Sequence, residues 1–305
     1  MNKWTTKNIP SQKGRTAIVT GVSGLGYEDA LALAKVGATI IMAGRSKAKG
    51  NEAVTSIRAA VNNANVSFEL LDLSSLASVA DFSKRIKAKL KSLDILINNA
   101  GVMTPPNRIV TDDGFELQFE TNYLGHFALT GQLLPLLIKA KGRVISLSSV
   151  AARNGTIHFD DINAEKKYVP MTSYAQSKVA CLMFALELQR RSDANGWGLA
   201  SIASHPGISR TNLFSTSKAG IGSLASIRTH AWFLFQPSAQ GALPTLFAAT
   251  SQDAKAGGYY GPGGIAEVRG LPTDARIPKQ ANDTEAAAKL WDLSEKLSKV
   301  TYKIG

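Results

Sequence analysis

Cysteine is almost absent from this chain: Cys181 is the single one. That excludes an internal disulfide framework and a cysteine-rich zinc site. No run reaches the roughly 18 apolar residues that a membrane-spanning helix needs, so no integral membrane segment is expected. Glycine and proline, at 26 and 11 of 305 residues, are too scarce for a low-complexity or collagen-like chain. Met1 to Lys13 is polar and carries no apolar signal core, so a reducing, cytoplasmic setting is expected. Acidic residues are the scarcer charge, 23 against 35 basic, which leaves a net +12. Such a balance suits an anionic ligand, an acidic surface or nucleic acid. Its densest stretch is Lys84, Arg85, Lys87, Lys89 and Lys91, with no aromatic residue interleaved. A stacking platform for single strands is therefore missing, and a solvated helix face is the reading taken. The four histidines, His126, His158, His205 and His230, lack the spacing of metal ligands, so no metal is expected.

What is present is alternation. Hydrophobic residues make up 44% of the chain and charged residues 19%, a globular composition rather than a disordered one. Apolar strands are read at Thr16 to Thr20, Ala38 to Ala43, Val66 to Asp72, Asp94 to Asn98, Val144 to Leu147 and Ala200 to Ala203. Between them lie helical patterns at Tyr27 to Val36, Glu52 to Val61, Val79 to Leu90, Phe115 to Ile138 and Ser173 to Arg191. Strands separated by helices of this length predict βαβ units, a parallel sheet and helices on both faces. The fold class is thus α/β, a single doubly wound Rossmann domain over 1–305. Within it a core over 14–207 and a C-terminal extension over 208–305 are expected. The extension closes on a helix from Thr284 to Lys299, with Asp283 as its N-cap.

Thr20-Gly21-Val22-Ser23-Gly24-Leu25-Gly26 sits between the first strand and the first helix. This is the context of a dinucleotide-binding turn. Gly21 permits the sharp turn, Gly24 lets the backbone approach a pyrophosphate, and Gly26 lets the helix pack on the strand. The helix start offers N–H groups and a positive dipole end to phosphate. The second strand ends in Ala43-Gly44-Arg45-Ser46, without the acid that would bond a ribose 2′-hydroxyl. Arg45 suits a 2′-phosphate, and Lys47 and Lys49 add positive potential, so NADP(H) is the expected cofactor.

Tyr174 and Lys178 stand four apart on one predicted helix and therefore share a face. An ammonium beside a phenol favours the phenolate, which equips such a tyrosine to exchange a proton with an alcohol or carbonyl oxygen.

These pieces together resemble the short-chain dehydrogenase/reductase family. The matching segments are the glycine turn, Asp72-Leu73, Asn98-Asn99-Ala100-Gly101, Asn122, Ser148-Ser149, Tyr174 to Lys178, and Pro206-Gly207 before Thr211. They come in the family's order over about residues 15 to 215. The resemblance implies a catalytic tetrad of Asn122, Ser149, Tyr174 and Lys178, with Asn122 holding a water that links Lys178 to solvent. It implies cofactor contacts from Gly21, Ser23, Gly24, Leu25, Gly26, Arg45, Asp72, Leu73, Asn99, Ala100, Gly101, Tyr174, Lys178, Pro206, Gly207 and Thr211. It also implies dimers or tetramers formed through helix faces.

Ser149 and Tyr174 are 25 positions apart (174 − 149), more than in most members, and the insert from Ile157 to Tyr168 resembles the retinol-dehydrogenase-like branch. The expected reaction is hydride exchange between the nicotinamide and a small hydrophobic ketone, aldehyde or alcohol. The apolar residues of Pro206 to Pro237, among them Leu213, Phe214 and Trp232 to Phe235, would cover that substrate. Two other readings stand beside it. One is light-dependent reduction of a tetrapyrrole C=C bond, since the branch also resembles protochlorophyllide reductases. The other is a non-catalytic NADP(H) sensor, against which the complete tetrad argues.

Overall fold

A computed structural model describes residues 3–208 and 236–303. Eight strands form one sheet in the order β3-β2-β1-β4-β5-β6-β7-β8. They are β1 (Thr16–Thr20), β2 (Thr39–Gly44), β3 (Val66–Leu70), β4 (Ile95–Asn98), β5 (Arg143–Leu147), β6 (Ala200–Ser204), β7 (Tyr259–Pro262) and β8 (Pro272–Asp274). The first seven run parallel, and β8 pairs antiparallel with β7. The expected parallel sheet is present, and β8 adds an antiparallel strand at its edge. Parallel strands need long crossovers, whereas β7 and β8 are joined by a short connection that can only return antiparallel.

Helices cover both faces because the central strands are apolar on both. On one face lie α1 (Leu25–Lys35), α2 (Lys47–Ala60) and α6 (Leu243–Thr250), packed over Ala17, Val19, Ile40, Met42, Ile95 and Ile97. On the other lie α3 (Leu76–Lys89), α4 (Gly125–Ala140), α5 (Pro170–Asn195) and α7 (Thr284–Ser298), over Ile18, Ile41, Leu96 and Val144. The predicted N-cap of α7 is present: Asp283 Oδ1 accepts from Ala286 N at 2.9 Å.

The single helix expected over Phe115 to Ile138 is broken. An α-turn at Leu117–Phe119 passes into a π-helical segment, Glu120–Leu124, before α4 begins. The apolar stripe runs through all three, so hydropathy alone does not reveal the change of winding. Packing fixes the segment in place. Gly125 lies so close to the β3–α3 loop that a Cβ there would stand 2.3 Å from Leu73 O. Phe127, Phe184, Trp291 and Tyr302 then lock α4, α5 and α7 together, with Tyr302 Oη donating to Phe127 O at 2.6 Å.

Candidate active site

Strands β1 to β6 all end on one side of the sheet, and the strand order reverses between β1 and β4. In doubly wound sheets the ligand crevice opens there. The glycine turn starts at the end of β1. Gly21 and Gly24 hold positive φ (93° and 56°), and Gly24, at ψ −125°, occupies a conformation that glycine alone adopts readily. That residue caps α1 with no side chain, so the helix starts two residues before Tyr27 and its first N–H groups face outward without a side-chain acceptor. A Cβ on Gly26 would stand 2.5 Å from Gly21 O and 2.6 Å from Asn99 Nδ2. The cradle is thus bare backbone at a helix start, which fits a pyrophosphate. Leu25 and Leu73 bury their side chains in the core, so only their backbone can face a ligand.

Around this cradle lie other residues expected to contact a cofactor. Arg45 is exposed directly after β2, and Ser46 caps α2 so that Lys47 and Lys49 lie in its first turn. Asp72 follows β3, and its Oδ1 accepts from Ser74 N and Ser74 Oγ at 3.0 and 2.7 Å. Asn99, Ala100 and Gly101 follow β4. Asn99 Nδ2 donates to Thr20 O at 2.7 Å and wedges against the glycine turn. Pro206 and Gly207 follow β6, with Gly207 buried at φ 65°. Thr211 and the expected apolar cover, including Leu213, Phe214 and Trp232 to Phe235, lie outside the described residues.

The four expected catalytic side chains come from three elements. Ser148 is buried and donates to Lys178 O at 2.8 Å, which fixes β5 to α5. Ser149 is half-exposed; its Oγ accepts from Ala151 N at 3.2 Å, and its proton meets no acceptor among the described residues. Tyr174 is buried in the first half of α5, and its hydroxyl makes no hydrogen bond among the described residues. Lys178 follows one turn later, with Nζ 5.9 Å from the Tyr174 ring centre and donating to Leu147 O at 3.1 Å. A methyl group on Gly101 would meet Asn122 Oδ1 at 2.9 Å and Lys178 Nζ at 3.6 Å, so the post-β4 turn presses on both.

Asn122 sits in the π segment, and its side chain does not bond the local helix backbone. Oδ1 accepts from Val102 N at 2.7 Å, while Nδ2 donates to Val102 O at 3.0 Å and Ser177 Oγ at 2.9 Å. Its carbonyl accepts from His126 Nδ1 at 2.9 Å and from Cys181 Sγ at 3.1 Å. Both lone pairs of that carbonyl are met by side chains. In this chain Asn122 braces the post-β4 loop against α5.

Glu120, two residues earlier, is fully buried, and neither carboxylate oxygen has a hydrogen-bond partner among the described residues. Burial, with added repulsion from Asp113 and Asp72, pushes its carboxyl up to about 8. The folded protein keeps that proton at neutral pH while the unfolded chain gives it up. The stability present below the unfolded value of 4.5 is therefore lost as pH rises toward about 8. Glu120→Gln removes the ionisable group. Its Tm should exceed wild type by a few degrees at pH 8 and by less at pH 5, measured by thermal melts. An equal gap at both values would contradict a buried neutral carboxyl.

Sequence reasoning missed the clasp behind the site. Glu267, at φ 57°, accepts from His205 Nε2 at 2.8 Å, Arg153 Nη2 at 2.7 Å and Arg276 N at 3.1 Å. Gln280 Nε2 donates to Ala152 O, Arg153 O and Gly155 O at 2.9–3.0 Å. The C-terminal segment thus holds the Ser149 turn and the Pro206–Gly207 turn in one frame. No local pattern announces contacts such as Arg153 to Glu267 or Gln280 to Ala152, made across more than a hundred residues. No group of three metal-binding side chains occurs among the described residues, and no helix there is long and apolar enough to cross a membrane.

Residues 15–222 match the family model for short chain dehydrogenases. The chain is 41% identical over 292 residues to human Retinol dehydrogenase 13, covering 93% of this chain and 84% of that protein. It is 38% identical over 290 residues to Polyprenol dehydrogenase of Mus musculus, covering 93% and 83%. A solved structure from Mycobacterium Paratuberculosis superposes with a TM-score of 0.82 at 38% identity, over 99% of this chain and 100% of that one.

Proposed function

This chain belongs to the short-chain dehydrogenase/reductase family, in its retinol-dehydrogenase-like branch, and on that premise we propose that it is an NADP(H)-dependent reductase of hydrophobic aldehydes and ketones, working in reverse on the alcohols. It is an oxidoreductase of a family whose members exchange hydride with a nicotinamide cofactor. One observation carries the finer reading: at the sheet end that bears the Gly21 to Gly26 cradle, the Tyr174 hydroxyl and the Ser149 proton have no partner among the described residues, and the buried Lys178 Nζ lies 5.9 Å from the Tyr174 ring centre.

A bound nicotinamide supplies or accepts the hydride, and the protein supplies orientation and proton traffic. Gly21, Ser23, Gly24, Leu25 and Gly26 would hold the pyrophosphate, with Arg45 on the 2′-phosphate and Asp72 at the adenine end. Asn99 to Gly101, Pro206 and Gly207 would flank the nicotinamide half. Ser149 holds the substrate oxygen, Tyr174 gives it a proton during reduction, and Lys178 keeps a positive charge beside the phenol. The hydrophobic preference is supported by the names of the two relatives and by the rim. Met171, 49% exposed, lies three residues before Tyr174 on the same face of α5, and Val169 is exposed beside it.

A panel of hydrophobic aldehydes and ketones, with NADPH and NADH in parallel, tests this reading by loss of reduced-cofactor absorbance. NADPH binding without turnover of any member would favour the sensor instead. Arg45→Ala should raise the KM for NADPH about 10- to 100-fold, the equivalent of losing a hydrogen bond to a charged group worth ~1.5–3 kcal/mol, and leave that for NADH unchanged. Equal losses with both cofactors would remove Arg45 from the 2′-phosphate.

A further inference from the structure

We propose that His126 is a positioning residue, locked as the neutral Nδ1–H tautomer, that ties the cofactor-binding turn to the Asn122 brace of the catalytic helix. The proposal rests on the reading of the site given above and assigns a task to a side chain that the sequence excluded only as a metal ligand.

The tautomer follows from counting donors and acceptors at both ends of the ring. Asn122 O can only accept, so the His126 Nδ1 that lies 2.9 Å away must carry a proton. At the other end Thr20 Oγ1 lies 2.9 Å from His126 Nε2. Thr20 Oγ1 already accepts from Asn99 N at 2.9 Å and Ala100 N at 3.0 Å. Both its lone pairs are used, so it cannot accept from Nε2; its single proton lies between Ile97 O at 3.2 Å and Nε2 at 2.9 Å, and Nε2 must be bare. A protonated Nε2 would find no acceptor there. The ring is buried. Tyr123 and Cys181 line the small cavity beside it and Lys178 acts on it from α5; none of these is an acid that would hold an imidazolium. Burial and the Lys178 charge push its protonation down to about 4.

The consequence is mechanical. Thr20 begins the glycine turn, and its carbonyl takes Asn99 Nδ2 at 2.7 Å. Through one imidazole this turn is joined to Asn122. From there the chain runs through Ser177 Oγ at 2.9 Å to Tyr174 O at 2.8 Å. A shift of the cradle is thereby passed to the helix that carries Tyr174 and Lys178. The π segment places the Asn122 carbonyl where a side chain four residues on can reach it.

The test uses the full chain labelled with ¹⁵N-histidine. One ring of the four should show a protonated Nδ1 and a bare Nε2, unchanged between about pH 5 and 8, where a free histidine titrates, and that signal should vanish in His126→Asn. An Nε2–H tautomer, or titration in that range, overturns the proposal. Two variants then probe the two ends of the ring. Asparagine can keep a donor where Nδ1 stands, and glutamine reaches only the Nε2 end. Each variant leaves one end of the tie unmet, so both should lose about 10- to 100-fold in kcat, the cost of a slight misplacement of catalytic groups. Affinity for 2′,5′-ADP should be unchanged in both, which a general loss of structure would not spare. Wild-type kcat in either variant overturns the proposal. If the variants do not fold, the wild-type spectrum decides. If the wild type reduces no carbonyl, the proposed function falls. The link is then judged by amide exchange at residues 98–102, which must quicken in His126→Gln for it to stand.

Discussion

Tyr174→Phe should lower kcat by about 10²- to 10⁴-fold, the range for removing a positioned general acid, while NADPH binds as in wild type. The separation follows from where the hydroxyl sits. The ring, carried on α5, is buried, and phenylalanine fills the same space. The hydroxyl has no partner among the described residues, so its removal strands no buried donor or acceptor. Tm should therefore stay close to wild type, and the loss should fall on the chemical step. Single-turnover absorbance measurements with saturating NADPH check it. Retention of more than about a tenth of wild-type kcat would mean that another group delivers the proton.

The Ser149 assignment illustrates how far the sequence carries such a reading. Two adjacent serines follow β5, and the resemblance to the family singles out the second. The fold separates them physically: Ser148 spends its proton on Lys178 O, and Ser149 keeps its own. Strands β1 to β6 were legible because each is a short apolar run between turn residues, and the parallel sheet follows from their spacing. β8 was not, because Pro272-Thr273-Asp274 has neither apolar character nor alternation and exists only by pairing with β7. The start of α1 was read two residues late because glycines are poor helix formers. Here Gly24 caps and Gly26 is required by packing. The π turn, the His126 link and the Glu267 clasp were hidden for a common reason. Each is set by groups remote in sequence, and a local window sees only a polar residue in an apolar stripe.

Gly26→Ala should abolish measurable NADPH binding, a loss above about 100-fold, in a protein that still folds with a lowered Tm. One methyl group is enough because its two nearest neighbours cannot both retreat. Gly21 O, at 2.5 Å, is backbone of the turn that forms the cradle. Asn99 Nδ2, at 2.6 Å, is held by Thr20 O. Relief must come from α1 moving off β1, and overpacking of this kind typically costs about 1–3 kcal/mol of stability. That movement carries the helix's first N–H groups away from the phosphate, whose binding depends on them. The contrast with Tyr174→Phe is diagnostic. One variant should bind cofactor and fail to react; the other should fail to bind, with its tyrosine, serine and lysine unaltered. Fluorescence titration of NADPH well below each variant's Tm separates the two. Wild-type affinity in Gly26→Ala would show that α1 tolerates the displacement and that the phosphate is not held at its start.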